Sequence, residues 1–378
     1  SNELFAMLVE KAHESGMKVI LDRVFNHCGS FNKWMDAERI YENADGYEKG
    51  AYVSKDSPYR DYFYFKENSD EYEGWWDYNT LPKLNYSNKE LYDYILKVAA
   101  KWVSEPYCAD GWRLDVAADL GRDEETNHKF WKDFRNAVKT ANPNAIILAE
   151  HYGNPIEWLD GTQWDTVMNY DAFMEPVSWF LTGMEKHNDS LQPELINDQN
   201  TFWKSMRECG AKFTNDGLLS AMNELSNHDH SRFITRTTGI AGRVFELGKE
   251  AASENANKAV FMEAVVMQMT WQGAPTIYYG DEAGLAGFTD PDNRRVYPWG
   301  NEDAELLRFH KDIIKIHKEN EELKTGSLIP LPTPMGTIAY GRKKDNNITL
   351  TIVNNMDVAM EYKLSVWILG EGQNIVFD

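Results

Sequence analysis

Four short stretches of this chain place carboxylates, histidines and an arginine directly after apolar, β-branched runs. VILDRVFNH (19–27) leads through Asp22 to Asn26 and His27, and GWRLDVAAD (111–119) carries Arg113 and Asp115. ILAEHYG (147–153) ends on Glu150, His151 and Tyr152, and LSNHDHSR (225–232) holds His228 and Asp229. Burying so many polar groups beside apolar strands is costly unless they are paired or used. A single Asp or His in such a place is most often a loop cap or a satisfied core group. Four clusters in succession are harder to explain that way. The chemistry that needs such a set is cleavage of a glycosidic bond. One carboxylate attacks the anomeric carbon while a carboxylic acid protonates the leaving oxygen, the two about 5–5.5 Å apart when configuration is retained. A third acid can stabilise the oxocarbenium-like transition state.

These clusters need a scaffold that brings strand ends together. Apolar runs at 17–24, 111–116, 145–150, 165–169, 218–225 and 276–279 read as strands, the first of them buried. Helical spacing is expected over 3–13, 91–102, 130–138, 171–183, 199–208, 252–269 and 303–318. Such alternation predicts parallel strands with crossover helices, and in α/β barrels functional side chains sit at the carboxyl ends of strands. Segment 28–90 is aromatic and polar with little helical period, so it reads as a functional insertion after a strand. After residue 322 the texture changes to Gly/Pro turns and β-rich runs at 337–340 and 348–353, predicting a small antiparallel domain over 323–378.

Composition narrows the partners. The 378 residues carry 39 Lys and Arg against 60 Asp and Glu, a net charge of −21, which argues against a nucleic-acid backbone as ligand. No apolar stretch is long enough to span a membrane. The three cysteines, Cys28, Cys108 and Cys209, give no disulfide framework and suit a reducing, cytoplasmic setting. Thirteen Trp and 19 Tyr supply flat faces for sugar rings, although most will serve packing.

Taken in order, the four motifs resemble those of the α-amylase family of glycoside hydrolases. LPKLN (81–85) is similar to an additional motif of the neopullulanase and cyclomaltodextrinase branch, and 278–299 looks like the segment after that branch's last barrel strand. The resemblance spans residues 1 to about 320. It implies an α/β fold of TIM (β/α)8 type, with a catalytic barrel over 1–322 and a partial C-terminal antiparallel β domain. The first motif lies on the third strand of the family's barrel. The expectation is therefore a barrel lacking its first two strands, N-terminally truncated, and weakly active or inactive by itself.

Position by position, the resemblance implies that Asp115 is the nucleophile, Glu150 the general acid and base, and Asp229 the third acid. His27, Arg113 and His228 would bind or orient around the reacting sugar, and Asp22 would be a structural partner for Arg113 inside the barrel. Asp292 and Arg294 resemble residues that grip the next sugar, with a surface ion pair as the bland alternative. Trp75, Trp76 and Tyr152 are candidate stacking walls on the acceptor side. No cofactor is required for the chemistry; calcium is an optional ligand, with Asn26 its one recognisable candidate. The implied substrates are α-1,4-linked glucans such as maltooligosaccharides, cyclodextrins or starch, and a homodimer is expected of the longer protein. Three other readings stay open: an α-glucosidase or transglycosylase of the same family, a metal-dependent barrel hydrolase using His27, His151 and His228, and a non-catalytic carbohydrate-binding relative.

Overall fold

A computed structural model describes residues 1–361 and 363. The remainder of the segment assigned above to the C-terminal domain lies outside the described residues. The chain divides into two compact units, residues 1–167 and the part from Met168 onward.

The first unit is built on a parallel sheet of four strands in sequence order: β1 (Ile20–Val24), β2 (Gly111–Asp115), β3 (Ile146–Ala149) and β4 (Thr166–Val167). The register sets Asp22 beside Arg113 and Val24 beside Asp115, with Leu114 beside Ala149. β2 is central, and its first four residues are buried. Helix α1 (Asn2–Glu14) precedes β1, α2 (Lys89–Val103) leads to β2, and α3 (Glu124–Ala141) connects β2 to β3. Asn88 caps α2 through Leu91 N–H at 3.0 Å, and Asp123 caps α3 through Thr126 N–H at 2.7 Å. Phe25, Trp112, Phe130, Trp131 and Phe134 pack edge-to-face beneath the sheet, each burial worth about 1.5–3 kcal/mol.

Two expectations are corrected here. β1 is not a buried strand: it is the sheet edge, and Ile20 is 46% exposed. The run 17–24 is also shorter as a strand, because Asp110 draws Val19 N–H to its own carboxylate at 2.8 Å.

In the second unit, β5 (Met222–Glu224) pairs in parallel with β6 (Ala274–Thr276). The run 218–225 is only partly a strand. Thr214 caps a short helix, Asn215–Leu219, that consumes its first two residues. Likewise 171–183 begins as a π-helical turn, Tyr170–Met174, before the α-helix Glu175–Thr182 ends at Gly183 in the left-handed region. Helices Gln199–Gly210, Lys258–Thr270 and Ala304–Glu319 surround a core that includes Phe173, Phe180, Phe202, Phe261 and Trp271. An antiparallel sheet follows: β7 (Ser327–Leu331), β8 (Thr337–Lys344) and β9 (Asn347–Asn354). β7 escaped the sequence reading because Pro330 breaks its pattern. The fully buried Arg342 ties β8 inward, donating to the carbonyls of Thr270 (2.9 Å), Trp271 (2.6 Å) and Gly326 (2.9 Å). Among the described residues no helix is long and apolar enough to cross a membrane.

Candidate active site

β2 carries Arg113 and Asp115 on one face, because side chains two apart on a strand point the same way. Arg113 is nearly buried and collects three carboxylates. Its Nη1 donates to Asp22 at 3.0 Å and, in a very short contact, to Asp115; its Nη2 lies 3.5 Å from Glu150. Burial alone would discourage the guanidinium charge, but Asp22, Glu150 and Asp115 together more than offset it and hold the group firmly protonated. Asp22 pairs with Arg113 as the resemblance implied, and its side chain is 61% exposed.

Glu150 follows β3 and is held by two backbone contacts. Its N–H donates to Leu114 O at 2.8 Å, and its Oε2 accepts Val116 N–H at 2.9 Å. Burial is the main influence on its acidity, and neighbouring Asp115 adds to it. Arg113 and the Val116 N–H oppose them, and the net result is a pKa pushed up to about 7. Val116 makes its contact from a left-handed conformation (φ 43°, ψ 41°), an outlier for a β-branched residue that costs on the order of 1–3 kcal/mol. Nothing in residue type signalled this backbone donor, which lies inside the second motif.

His27 is supported from below by the segment Leu81 to Asn85. Leu84 N–H donates to Asn26 O at 3.0 Å, and His27 bridges antiparallel to Lys83. Its ring stacks on Trp75 (centroids 5.1 Å apart), which in turn stacks on Trp76 at 4.5 Å. Burial lowers the His27 pKa despite Asp115 and Asp119, favouring the neutral imidazole at pH 7. Trp75 Nε1 donates to Asp119 at 2.7 Å, tying the insertion to the end of the second motif. Trp76 (72% exposed) and Tyr152 (45%) present open aromatic faces. His151 packs instead against Trp158 and Trp164.

In the second unit, Asn227 folds the fourth motif: its Oδ1 accepts the N–H groups of Asp229 (3.0 Å) and His230 (2.9 Å). Asp229 lies 3.4 Å from His228 Nε2 and 3.6 Å from Arg294 Nη2. Arg294 also donates to His228 O at 3.0 Å and pairs with Asp290 at 2.7 Å. Asp292 does not pair with Arg294. It faces inward, accepts Phe288 N–H at 2.8 Å and holds Arg295 at 2.7 Å. Arg294 thus pairs with Asp290 and more loosely with Asp229; the sequence reading passed over Asp290 although its spacing of four residues was visible.

Asn26 is buried with its Oδ1 lacking a hydrogen-bond partner, and its Nδ2 is turned to His27. One oxygen falls far short of the six to eight that calcium takes. Among the described residues no group of three or more His, Cys, Asp or Glu side chains is placed to hold a metal ion.

The sequence matches the family model for the catalytic domain of alpha amylase over residues 1–325. The chain belongs to the α-amylase family. Among curated relatives, α-amylase-family similarity includes a cyclomaltodextrinase of Thermoanaerobacter pseudethanolicus, 33% identical over 92% of this chain and 54% of the relative. Neopullulanase 2 of Thermoactinomyces vulgaris is 34% identical over 86% of this chain and 48% of its own length. An amylopullulanase of Thermoanaerobacter thermohydrosulfuricus is 34% identical over 90% of this chain but only 24% of its own. The chain therefore spans about half or less of the curated relatives it matches. Among solved structures, a debranching enzyme of Nostoc punctiforme superposes with a TM-score of 0.75 at 29% identity, covering 94% of this chain and 68% of that one. Family membership assigns the parallel α/β elements to a TIM-barrel glycoside hydrolase domain and the last three strands to a C-terminal antiparallel sheet.

Proposed function

We propose that the protein containing this chain hydrolyses α-1,4-glucosidic bonds in maltooligosaccharides, cyclodextrins or starch-type glucans, with retention of configuration. The observation that carries this reading is the environment of two carboxyls on one guanidinium. Asp115 is ion-paired with Arg113, while burial leaves Glu150 protonated up to about pH 7. Neighbouring carboxyls whose environments differ in this way divide into nucleophile and acid. Asp115 attacks the anomeric carbon and the sugar–oxygen bond breaks as Glu150 delivers its proton to the leaving oxygen. Glu150, now ionised, then takes a proton from water, which attacks the glycosyl ester and frees Asp115. The Val116 N–H steadies the Glu150 carboxylate between these steps. His27 would donate to a sugar hydroxyl. Asp229, with His228 and Arg294 beside it, is the third acid of the proposal on the strength of its motif. Residues 1–322 form the catalytic part in this reading, with 28–90 as its insertion.

The names of the relatives support a cyclodextrin or pullulan-type substrate. The test is reducing-sugar release from β-cyclodextrin, starch and pullulan, with Asp115→Ala and Asp229→Ala beside the parent. Release that survives in Asp115→Ala would make the nucleophile assignment wrong.

A further inference from the structure

The turn that carries His228 and Asp229 is held by a second stretch of chain. Every carbonyl from Asn227 to His230 accepts a hydrogen bond from the segment Thr289 to Arg294. Asn293 Nδ2 donates to Asn227 O at 2.9 Å and to His230 O at 2.7 Å, so one amide grips both ends of the turn. Between those ends, Arg294 Nε donates to His228 O at 3.0 Å. Asp229 O accepts both the Thr289 hydroxyl, in a very short contact, and the Asp290 N–H at 3.2 Å. The clamp is itself anchored. Asn293 is fully buried, and its own carbonyl accepts Arg232 Nε at 3.0 Å. Arg232, also fully buried, is paired with Asp281 at 2.8 Å and donates its N–H to Gly287 O at 2.9 Å. A Cβ at Gly287 would fall 2.7 Å from Asp292 O and 2.8 Å from Asn293 Cα, so the backbone packs there without slack.

A carboxylate that stabilises a transition state is effective only if it is already in place, because a misplacement of about 1 Å can cost on the order of a hundredfold in rate. The Asp229 side chain is 37% exposed, so packing alone does not fix it, and its placement depends on the backbone beneath. We propose that Asn293 and Thr289 are positioning residues for Asp229: they lock the main chain of its turn and act on catalysis through its carboxylate. The proposal rests on the reading of Asp229 as the third acid. It separates the segment's buried polar side chains, which hold the backbone, from Arg294, which also reaches the carboxylate.

The test is steady-state kinetics of the protein on an aryl α-maltoside, whose good leaving group keeps slow variants measurable. Asn293→Ala and Thr289→Val should each lower kcat about ten- to hundredfold while KM moves less than about threefold, because the lost alignment counts most in the transition state. Thr289→Ser, which keeps the hydroxyl, should recover most of that loss. In an Asp229→Ala background neither substitution should lower kcat further, since the group they act through is gone. Parental kcat in both variants, or equal fold losses with and without Asp229, overturns the positioning role and leaves Asp229 as the third acid. Should Asn293→Ala fail to fold, Thr289→Val against Thr289→Ser makes the same comparison. Parental turnover by Asp229→Ala overturns the third-acid reading and the positioning role together.

Discussion

Replacing Asp115 by Asn removes a negative charge next to a carboxyl that burial already holds protonated near neutrality. Both Asp115 and Glu150 touch the guanidinium of Arg113, and Asp115 raises the Glu150 pKa through its charge and a side-chain hydrogen bond. At a separation of about 5 Å and an effective dielectric of about 20, two unit charges interact by about 3 kcal/mol, or roughly two pKa units. The Asp115 side chain is 25% exposed, so water screens part of this, and a drop of about one unit in the Glu150 pKa is the expected outcome. The shift is downward because Asp115 disfavours the ionised form of Glu150, whereas Arg113 and the Val116 N–H, which favour it, remain. Carboxyl ¹³C resonances of glutamate-labelled protein, with Glu150→Gln to assign the signal, would follow the titration in parent and variant. A Glu150 pKa that stays near 7 or rises in Asp115→Asn would refute the coupling on which the acid/base assignment rests.

The alkaline limb of the parent's kcat/KM profile should fall through about pH 7, since the acid must be protonated when cleavage begins; a profile flat to pH 9 would speak against Glu150. Glu263, on the helix Lys258–Thr270, has its pKa pushed up to about 7 by burial, and its Oε2 has no hydrogen-bond partner. Its folded pKa lies above its unfolded one, so its contribution is fully present below about pH 4.5 and lost as pH rises to about 7. Urea unfolding at pH 5 and pH 8 should show Glu263→Gln losing about 1–2 kcal/mol less than the parent over that interval, and identical losses would contradict this. Arg342→Met should cost about 2–4 kcal/mol by leaving three buried carbonyls without a donor; an unchanged unfolding midpoint would show that the carbonyls find other partners. Trp76→Gly should raise stability by about 1 kcal/mol, because Trp76 sits at φ 50°. A loss of stability would mean that its stacking outweighs the backbone relief.

Much of the fold was legible because β3 reads as a continuous apolar run, β2 alternates buried apolar residues with the polar pair of its motif, and α2 and α3 kept their helical period. Strand limits were less visible where polar contacts compete with the ladder, as Asp110 does at Val19 and Thr214 does before Leu218. The Arg113–Asp115 pair fits the spacing of the second motif, since i and i+2 on one strand share a face, whereas Asp22 as a partner of Arg113 was implied by the resemblance and the Glu150 contact was not foreseen. Nor were the Val116 donor and the Trp75–Asp119 bond, because one is a backbone dihedral and the other joins residues 44 apart. The alternative of a surface ion pair between Asp292 and Arg294 failed because charge alone does not say which way a side chain turns; a local amide and Arg295 hold this one.

Trp76 and its neighbour Asp77 both hold positive φ, at 50° and 62°, where L residues lose on the order of 1–2 kcal/mol each. A laboratory selection for heat resistance alone would therefore find glycine at these two positions early. It would be expected to return sturdier proteins that had lost the open aromatic face of Trp76. A screen that scores thermal tolerance and α-glucan turnover together would keep the pair, and the gap between the two screens would measure how much stability this loop gives up for recognition.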